Sequence, residues 1–264
     1  MKARNRPPRL DARPAAPSPG PPPTPPTIEE RFVRARIAGK VTSPGPRELR
    51  HQVEKLDANP VEAWAAIRAV FGATIEESQI DPVCTTRAAR VAGARIGAVA
   101  RAGGRIAFAT AQPASLLSLQ SALARRARVC GGSIDDTEDA GPMRVDGRGP
   151  RWIRWIDGVA VVTDGASVLA TTGPDAAEEW MFLSGRPLLV VADGPFALSA
   201  VRAGVEVVAF AGLDRIDLAI PAARAQRCVV VPVHSGRSPR AYEPLTTLLE
   251  TAIDADAGAL GPEL

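Results

Sequence analysis

The 264-residue sequence predicts an α/β fold in which a mostly parallel sheet carries helices on both faces, preceded by an N-terminal helical segment. Three observations lead there. From Arg105 onward, short Val/Ile-rich runs recur between Gly, Pro and Asp, and several lack polar alternation, as strands buried on both faces do. Helical patterns lie between the runs, and that alternation means βαβ crossovers. The stretch Gly104 to Leu123, GRIAFATAQPASLLSLQSAL, shows one complete unit: β-forming residues Arg105 to Ala109, a polar loop Thr110 to Gln112, and an amphipathic helix from Pro113. The arrangement is Rossmann-like. It carries neither a phosphate-loop nor a Gly-x-Gly-x-x-Gly fingerprint, which ranks nucleotide or coenzyme binding last among the readings.

Taken in order, residues 1–27 form a Pro-rich, Arg-dotted tail with almost nothing to bury, expected to be disordered or locally polyproline II. A solvated leader is the reading adopted, with a PxxP ligand as the other. Thr27 should cap a first helix that runs to Gly39, with Glu29 and Glu30 in its first turn. A second helix is expected over Arg47 to Asp57, and a third from Asn59 and Pro60 to near Phe71 and Gly72. These helices should pack against the later sheet, since none has enough core alone. Asp81 and Pro82 break the pattern, and Thr86 to Arg101 repeats Ala and Val at helical spacing.

The strand candidates are Ile106 to Ala109, Gly158 to Thr163, Ser167 to Ala170, Leu188 to Ala192, Val205 to Phe210 and Cys228 to Val233. Helices are expected over Pro113 to Arg128, Asp175 to Leu183, Phe196 to Ala203 and Leu213 to Ala225. Gly131 to Pro150, rich in Gly and acids, reads as a surface loop. Residues 28–256 are thus expected to form a single domain, mainly helical over 28–103 and alternating over 104–256, with 257–264 a flexible C-terminus.

Composition excludes several classes. Apolar residues make up 45% and aromatics only 4%, so Val, Ile, Leu and Ala must fill the core. The net charge of +3 resides in the tail, where Lys2, Arg4, Arg6, Arg9 and Arg13 face only Asp11. No basic patch interleaved with aromatics accompanies it, which argues against nucleic acid. Cys84, Cys130 and Cys228 are widely spaced and odd in number, against a disulfide scaffold or structural zinc. There is no apolar run of about 18 residues, so no membrane contact and a cytoplasmic location are expected.

In a doubly wound sheet the ligand lies outside the carboxyl ends of the strands, so the residues that end each run form the shortlist. They are Thr110 and Gln112, Asp164, Thr171 with Thr172 and Gly173, Asp193 with Gly194, and His234 with Ser235. Asp193 ends the most apolar run and suits a general base or metal ligand, or an Asp-Gly turn. For Asp164-Gly165 the turn reading leads. Thr171 and Thr172 suit an anion at a helix start, but the acids from Asp175 to Glu179 favour a cap. His51 reads as a surface or packing residue, and Arg240 beside Pro239 could supply a forked donor for phosphate. No Ser/His/Asp or Cys/His pair and no metal-ligand cluster emerges from spacing.

With these segments assembled, the chain resembles a family of actinobacterial proteins called phosphatases. The resemblance is carried by FVRARIAGKVTSPGPRELRH at Phe32 to His51, IDP at Ile80 to Pro82, FATAQPASLL at Phe108 to Leu117, LVVADGPFA at Leu189 to Ala197 and SPRAYEPLT at Ser238 to Thr246. It implies a phosphatase-like protein acting on or binding a small phosphorylated metabolite. The positions that match the family are Arg36, Asp81, Thr110, Asp193 and Arg240, which makes Asp193 and Asp81 the candidate catalytic carboxylates; joined by Gln112, Ser115, Thr171 and Thr172 from the strand ends and helix entries, Thr110, Arg36 and Arg240 form the candidate phosphate-binding set. The chain also departs from the family pattern. That pattern has His-Pro at Gln112-Pro113, Asp-His at Asp193-Gly194 and His-Thr-His near Ala170 to Thr172. A catalytically inactive member, working as a ligand-binding or interaction module, is therefore the alternative. No metal ligand is assigned, and a divalent metal, the cofactors and the oligomeric state stay open.

Overall fold

The computed structural model describes residues 25–40, 44–56, 58–73, 78–136, 143–144, 150–224 and 227–255. The readings for residues 1–24 and 257–264 lie outside these.

Helix α1 (Ile28–Arg34) starts where Thr27 directs. The Thr27 hydroxyl accepts the Glu30 N–H at 3.2 Å and the Glu30 carboxylate accepts the Thr27 N–H at 3.2 Å, a capping box. The helix stops short of the expected Gly39. Arg36 adopts a left-handed backbone (φ 59°), and β1 (Gly39–Lys40) pairs antiparallel with β2 (Gln79–Ile80). A small two-stranded ribbon therefore interrupts the segment expected to be only helices. Helices α2 (Pro46–Glu54) and α3 (Pro60–Phe71) follow, the second capped by Asn59 and closed by Gly72 in αL. Asp81 starts α4 (Pro82–Arg101) ahead of the expected Thr86, its Oδ1 accepting the Val83 N–H at 2.8 Å.

The alternating part runs β3 (Arg105–Ala109), α5 (Pro113–Val129), β4 (Ser133–Ile134), β5 (Met143–Arg144), β6 (Pro150–Ile156), β7 (Val159–Thr163) and β8 (Val168–Leu169). It continues through α6 (Asp175–Leu183), β9 (Leu189–Asp193), α7 (Gly194–Arg202), β10 (Glu206–Ala211), α8 (Ala219–Ala223), β11 (Cys228–Pro232) and α9 (Glu243–Asp254). Among the described residues the main sheet has the order β11-β10-β9-β3-β7-β6-β5, with β4 beside the start of β3 and β8 beside β7. The links β11–β10, β10–β9, β9–β3, β3–β4 and β3–β7 are parallel; β6 and β8 run antiparallel to β7, and β5 to β6. All five residues of β7 and of β9 are buried, which is why neither shows polar alternation.

Direction of travel decides the layers. The chain passes from β3 to β7 through α5, and from β7 back across β3 to β9 through α6. Right-handed crossovers in opposite directions put α5 and α6 on opposite faces. Helices α4 and α9 pack with α5, and α7 packs with α6. The side chains of Trp180 and Phe196 join α6 to α7, ring centroids 5.3 Å apart and edge to face. Between α4 and α9 the approach is close: a Cβ on Gly93 would lie 2.5 Å from the Ala252 Cβ, and one on Gly97 would strike the Ile253 carbonyl oxygen. Buried side chains from Phe32 to Ile253 form one apolar cluster, and α3 of the N-terminal part packs on α8 and β11.

Two expectations need correction. The segment read as a loop to Pro150 contains β4 and β5, and Pro150 opens β6, PRWIRWI, which the sequence reading missed. The helix expected over Leu213 to Ala225 is broken: Leu213–Leu218 is a 3-10 turn with Arg215 at φ −126° and ψ 47°, and only Ala219–Ala223 is α-helical.

Candidate functional site

From β3 the chain builds outward through β4 and β7 on one side, and β9, β10 and β11 then extend the other. The carboxyl ends of β3 and β9 therefore border the point where strand order reverses, the place open α/β sheets use for ligands. Asp193 is the last residue of β9, beside Ala109 and Ala111 at the end of β3, and only 2% exposed.

Its carboxylate is tied down from two sides. The Ala111 N–H donates to both oxygens at 3.2 Å, and Gln120 Nε2 of α5 donates to Oδ1 at 3.1 Å. The Thr110 hydroxyl, which also favours the ionised carboxylate, accepts the Gln112 N–H at 3.1 Å. Burial pushes the Asp193 carboxyl from its ordinary 3.8 up to about 7, while Thr110, the bonds from Ala111 and Gln120 and the charge of Arg215 pull the other way. A carboxyl balanced near neutrality can carry or release a proton at working pH. Gln120 Oε1 is buried with no hydrogen-bond partner, so the floor of the site holds an unsatisfied acceptor.

Gly194 follows at φ 55°, a conformation that favours glycine. A Cβ there would meet the Ala111 Cβ at 3.0 Å, with Arg215 Nη1 at 3.9 Å. Arg215 comes from the broken segment after β10 and is the charged neighbour of Asp193. Its Nε and Nη2 grip the Asp217 carboxylate at 3.1 and 2.8 Å.

The expected residues divide by position. Thr110 is buried beside Asp193, while Gln112 and the buried Ser115 occupy the start of α5. Thr171 joins through the backbone, its N–H donating to the Ala111 carbonyl at 3.0 Å. With the exposed Thr172, Arg151 and Asp175 it lines a cleft of about 670 Å³. Arg36 and Asp81 gather at the end of β11, about 10 Å from β9 by strand spacing: Arg237 Nε donates to the Arg36 carbonyl at 3.2 Å, and Thr85 Oγ1 beside Asp81 donates to the Pro232 carbonyl at 2.8 Å. Asp81 holds the start of α4 with its carboxylate. Arg240 lies apart, its side chain 89% exposed, in a groove with Ser118, Leu119 and Thr247. Asp164 makes the expected turn, accepting the Ala166 and Ser167 N–H groups. His234 Nδ1 contacts the Ser235 carbonyl at 2.7 Å. Exposed His51 pairs with Glu54 at 3.6 Å.

The sequence reading missed Gln120, Arg215 and the Ala111 amide. Gln120 had a signal: it is the polar residue on the helix face of Leu116, Leu119, Leu123 and Ala127, all buried. Arg215 had none. A larger cleft, about 1050 Å³, lies at the opposite edge of the sheet, where Leu188, Val205 and Arg227 precede β9, β10 and β11. Size does not make it the better site, since the strand ends there are the amino ends. Among the described residues no group of three His, Cys, Asp or Glu side chains is placed to hold a metal, and no helix is long and apolar enough to cross a membrane.

Fold and strand-end carboxylate together define a doubly wound, Rossmann-like α/β protein with a polar centre at its switch point. Residues 65–256 match the family model described as Phosphatase, and the chain belongs to that family. It is 28% identical over 251 residues to Phosphatase SCO2771 of Streptomyces coelicolor (strain ATCC BAA-471 / A3(2) / M145), an alignment covering 85% of this chain and 94% of that protein.

Proposed function

We propose that this phosphatase-family chain acts on a small phosphorylated metabolite at the carboxyl edge of its sheet, in the crevice between β3 and β9. The observation that carries the reading is Asp193: a carboxyl at the strand-order reversal, buried, held by the Ala111 N–H and poised near pH 7. In this reading Asp193 moves the proton that hydrolysis of a phosphate ester requires, a contribution of about two to four orders of magnitude in rate. Thr110, Gln112, Ser115 and the Ala114 N–H at the start of α5 hold the phosphoryl group, since Gln112 offers that helix no side-chain cap. Thr171 and Thr172 take the rest of the substrate in their cleft. Arg36, at the end of β11, and Arg240, in its groove on α5, lie outside the crevice and take no part at Asp193, and the capping contact of Asp81 leaves it a supporting role.

A second reading has its own observation. Asp193 is 2% exposed and its carboxylate already meets two donors, the Ala111 N–H and Gln120 Nε2, as a purely structural tie would. A member that binds phosphorylated ligands without turnover accounts for this, and for Gln112 and Gly194 where the family pattern has histidines.

Phosphate release over a panel of sugar phosphates, nucleotides and amino-acid phosphates separates the two, run with and without magnesium, manganese and zinc, beside Asp193→Asn. Turnover that disappears in the variant supports hydrolysis at this edge. Turnover unchanged in Asp193→Asn sinks the assignment of that carboxylate. Absence of turnover with a ligand-induced rise in Tm supports the binder.

A further inference from the structure

The arginines first expected to bind phosphate leave the crevice without a cation of their own. Arg240 is 89% exposed and lines a groove against α5, and Arg36 belongs to the end of β11, two strands away from β9. Arg215 is different on each count. Its side chain is 22% exposed, and the helix expected to carry it away from the sheet is broken at that residue. The break turns the guanidinium back over the end of β9, Nη1 lying 3.9 Å from the position a Gly194 Cβ would take.

Guanidinium geometry then decides which donors are free. Asp217 is bound by one edge, Nε and Nη2, in the forked manner suited to a carboxylate. That contact fixes the plane of the group and leaves Nη1, which makes no hydrogen bond among the described residues, on the side of Gly194 and Ala111. The absence of a side chain at Gly194 removes a Cβ that would lie 3.0 Å from the Ala111 Cβ on that side.

We propose that Arg215 binds the phosphoryl oxygens of the ligand beside Asp193, a role that rests on the phosphate-ester reading above. Asp217 positions the guanidinium, Nη1 supplies the charged donor, and the start of α7, which Asp193 leaves without a side-chain cap, supplies backbone N–H groups. A charge-assisted bond from a largely buried guanidinium is worth roughly a ten- to hundredfold change in affinity.

The test uses the full chain and inorganic phosphate, titrated calorimetrically against wild type, Arg215→Met, Arg215→Lys and Arg202→Met, the last at the far end of α7. The expected result is a tenfold or greater loss in Arg215→Met, a smaller loss in Arg215→Lys and no change in Arg202→Met. Phosphate affinity in Arg215→Met equal to wild type overturns the role of Arg215 and leaves the phosphate-ester reading standing. Wild type that takes up no phosphate overturns both. If Arg215→Met does not fold, phenylglyoxal labelling of wild type gives the answer: phosphate should shield Arg215, and labelling at an unchanged rate in its presence overturns the proposal.

Discussion

Asp193 accepts the Ala111 N–H through both carboxylate oxygens at 3.2 Å, so the end of β9 is joined to the loop after β3 across the point where strand order reverses. The Ala111 carbonyl in turn accepts the Thr171 N–H at 3.0 Å. One residue of backbone thus couples three segments of the candidate site, and Asp193 is the titratable member of the set.

The titration has a defined sign. Unfolded, the Asp193 carboxyl returns to its ordinary 3.8; folded, burial raises it to about 7. Its contribution to stability is therefore fully present below about pH 4 and is lost as pH rises through about 7, with a slope approaching 1.4 kcal/mol per pH unit. Urea unfolding at a series of pH values should show this decline in wild type and a flatter profile in Asp193→Asn. Parallel profiles in the two proteins would show that the carboxyl titrates normally.

Gln120→Leu should lower stability and move the Asp193 titration still higher, because the bond from Nε2 favours the ionised form. Loss of a donor to a buried carboxylate costs about 1–3 kcal/mol, and removal of the unpaired Oε1 offsets part of it. A net loss of about 1 kcal/mol corresponds to a Tm roughly 2–4 °C lower for a chain of this size. A Tm equal to or above that of wild type would mean that the bond contributes nothing.

Gly97→Ala tests the packing of α4 on α9 rather than the site. The added methyl would strike the Ile253 carbonyl oxygen, and overpacking of this kind costs about 1–3 kcal/mol. Thermal unfolding should report the loss, with phosphate binding retained in the folded fraction. A neutral effect would place the two helices farther apart than described.

Much of this architecture was legible before the structure. Strands such as LVVAD and VAVVT are buried on both faces, so their composition alone marks them. Thr27, Asn59 and the Pro residues at first turns marked helix starts, because cap chemistry is local. Strand β6 escaped because it lies toward the edge of the sheet: its Trp and Arg residues are half-buried or exposed around a single buried Ile153, with Pro150 at the first position.

At the site, position along the strands was legible and contact was not. That Asp193, Thr110 and Thr171 end strands or begin loops follows from pattern, and the structure links them. Which arginine reaches β9 does not follow from pattern. The segment LDRIDLAIPAA reads as a helix, and the break at Arg215, where its local fork with Asp217 forms, goes with packing against β10, which is tertiary. Arg240 sits beside a proline in a conspicuous motif yet lies outside the crevice.

The measurement that bears most directly on the location of the site is amide hydrogen exchange of the whole chain with and without inorganic phosphate. The account predicts slower exchange with phosphate in the peptides spanning Phe108 to Leu117 and Leu189 to Ala197, at the ends of β3 and β9. Protection confined to Gly185 to Leu188 and Gly204 to Glu206, at the opposite edge of the sheet, would contradict it.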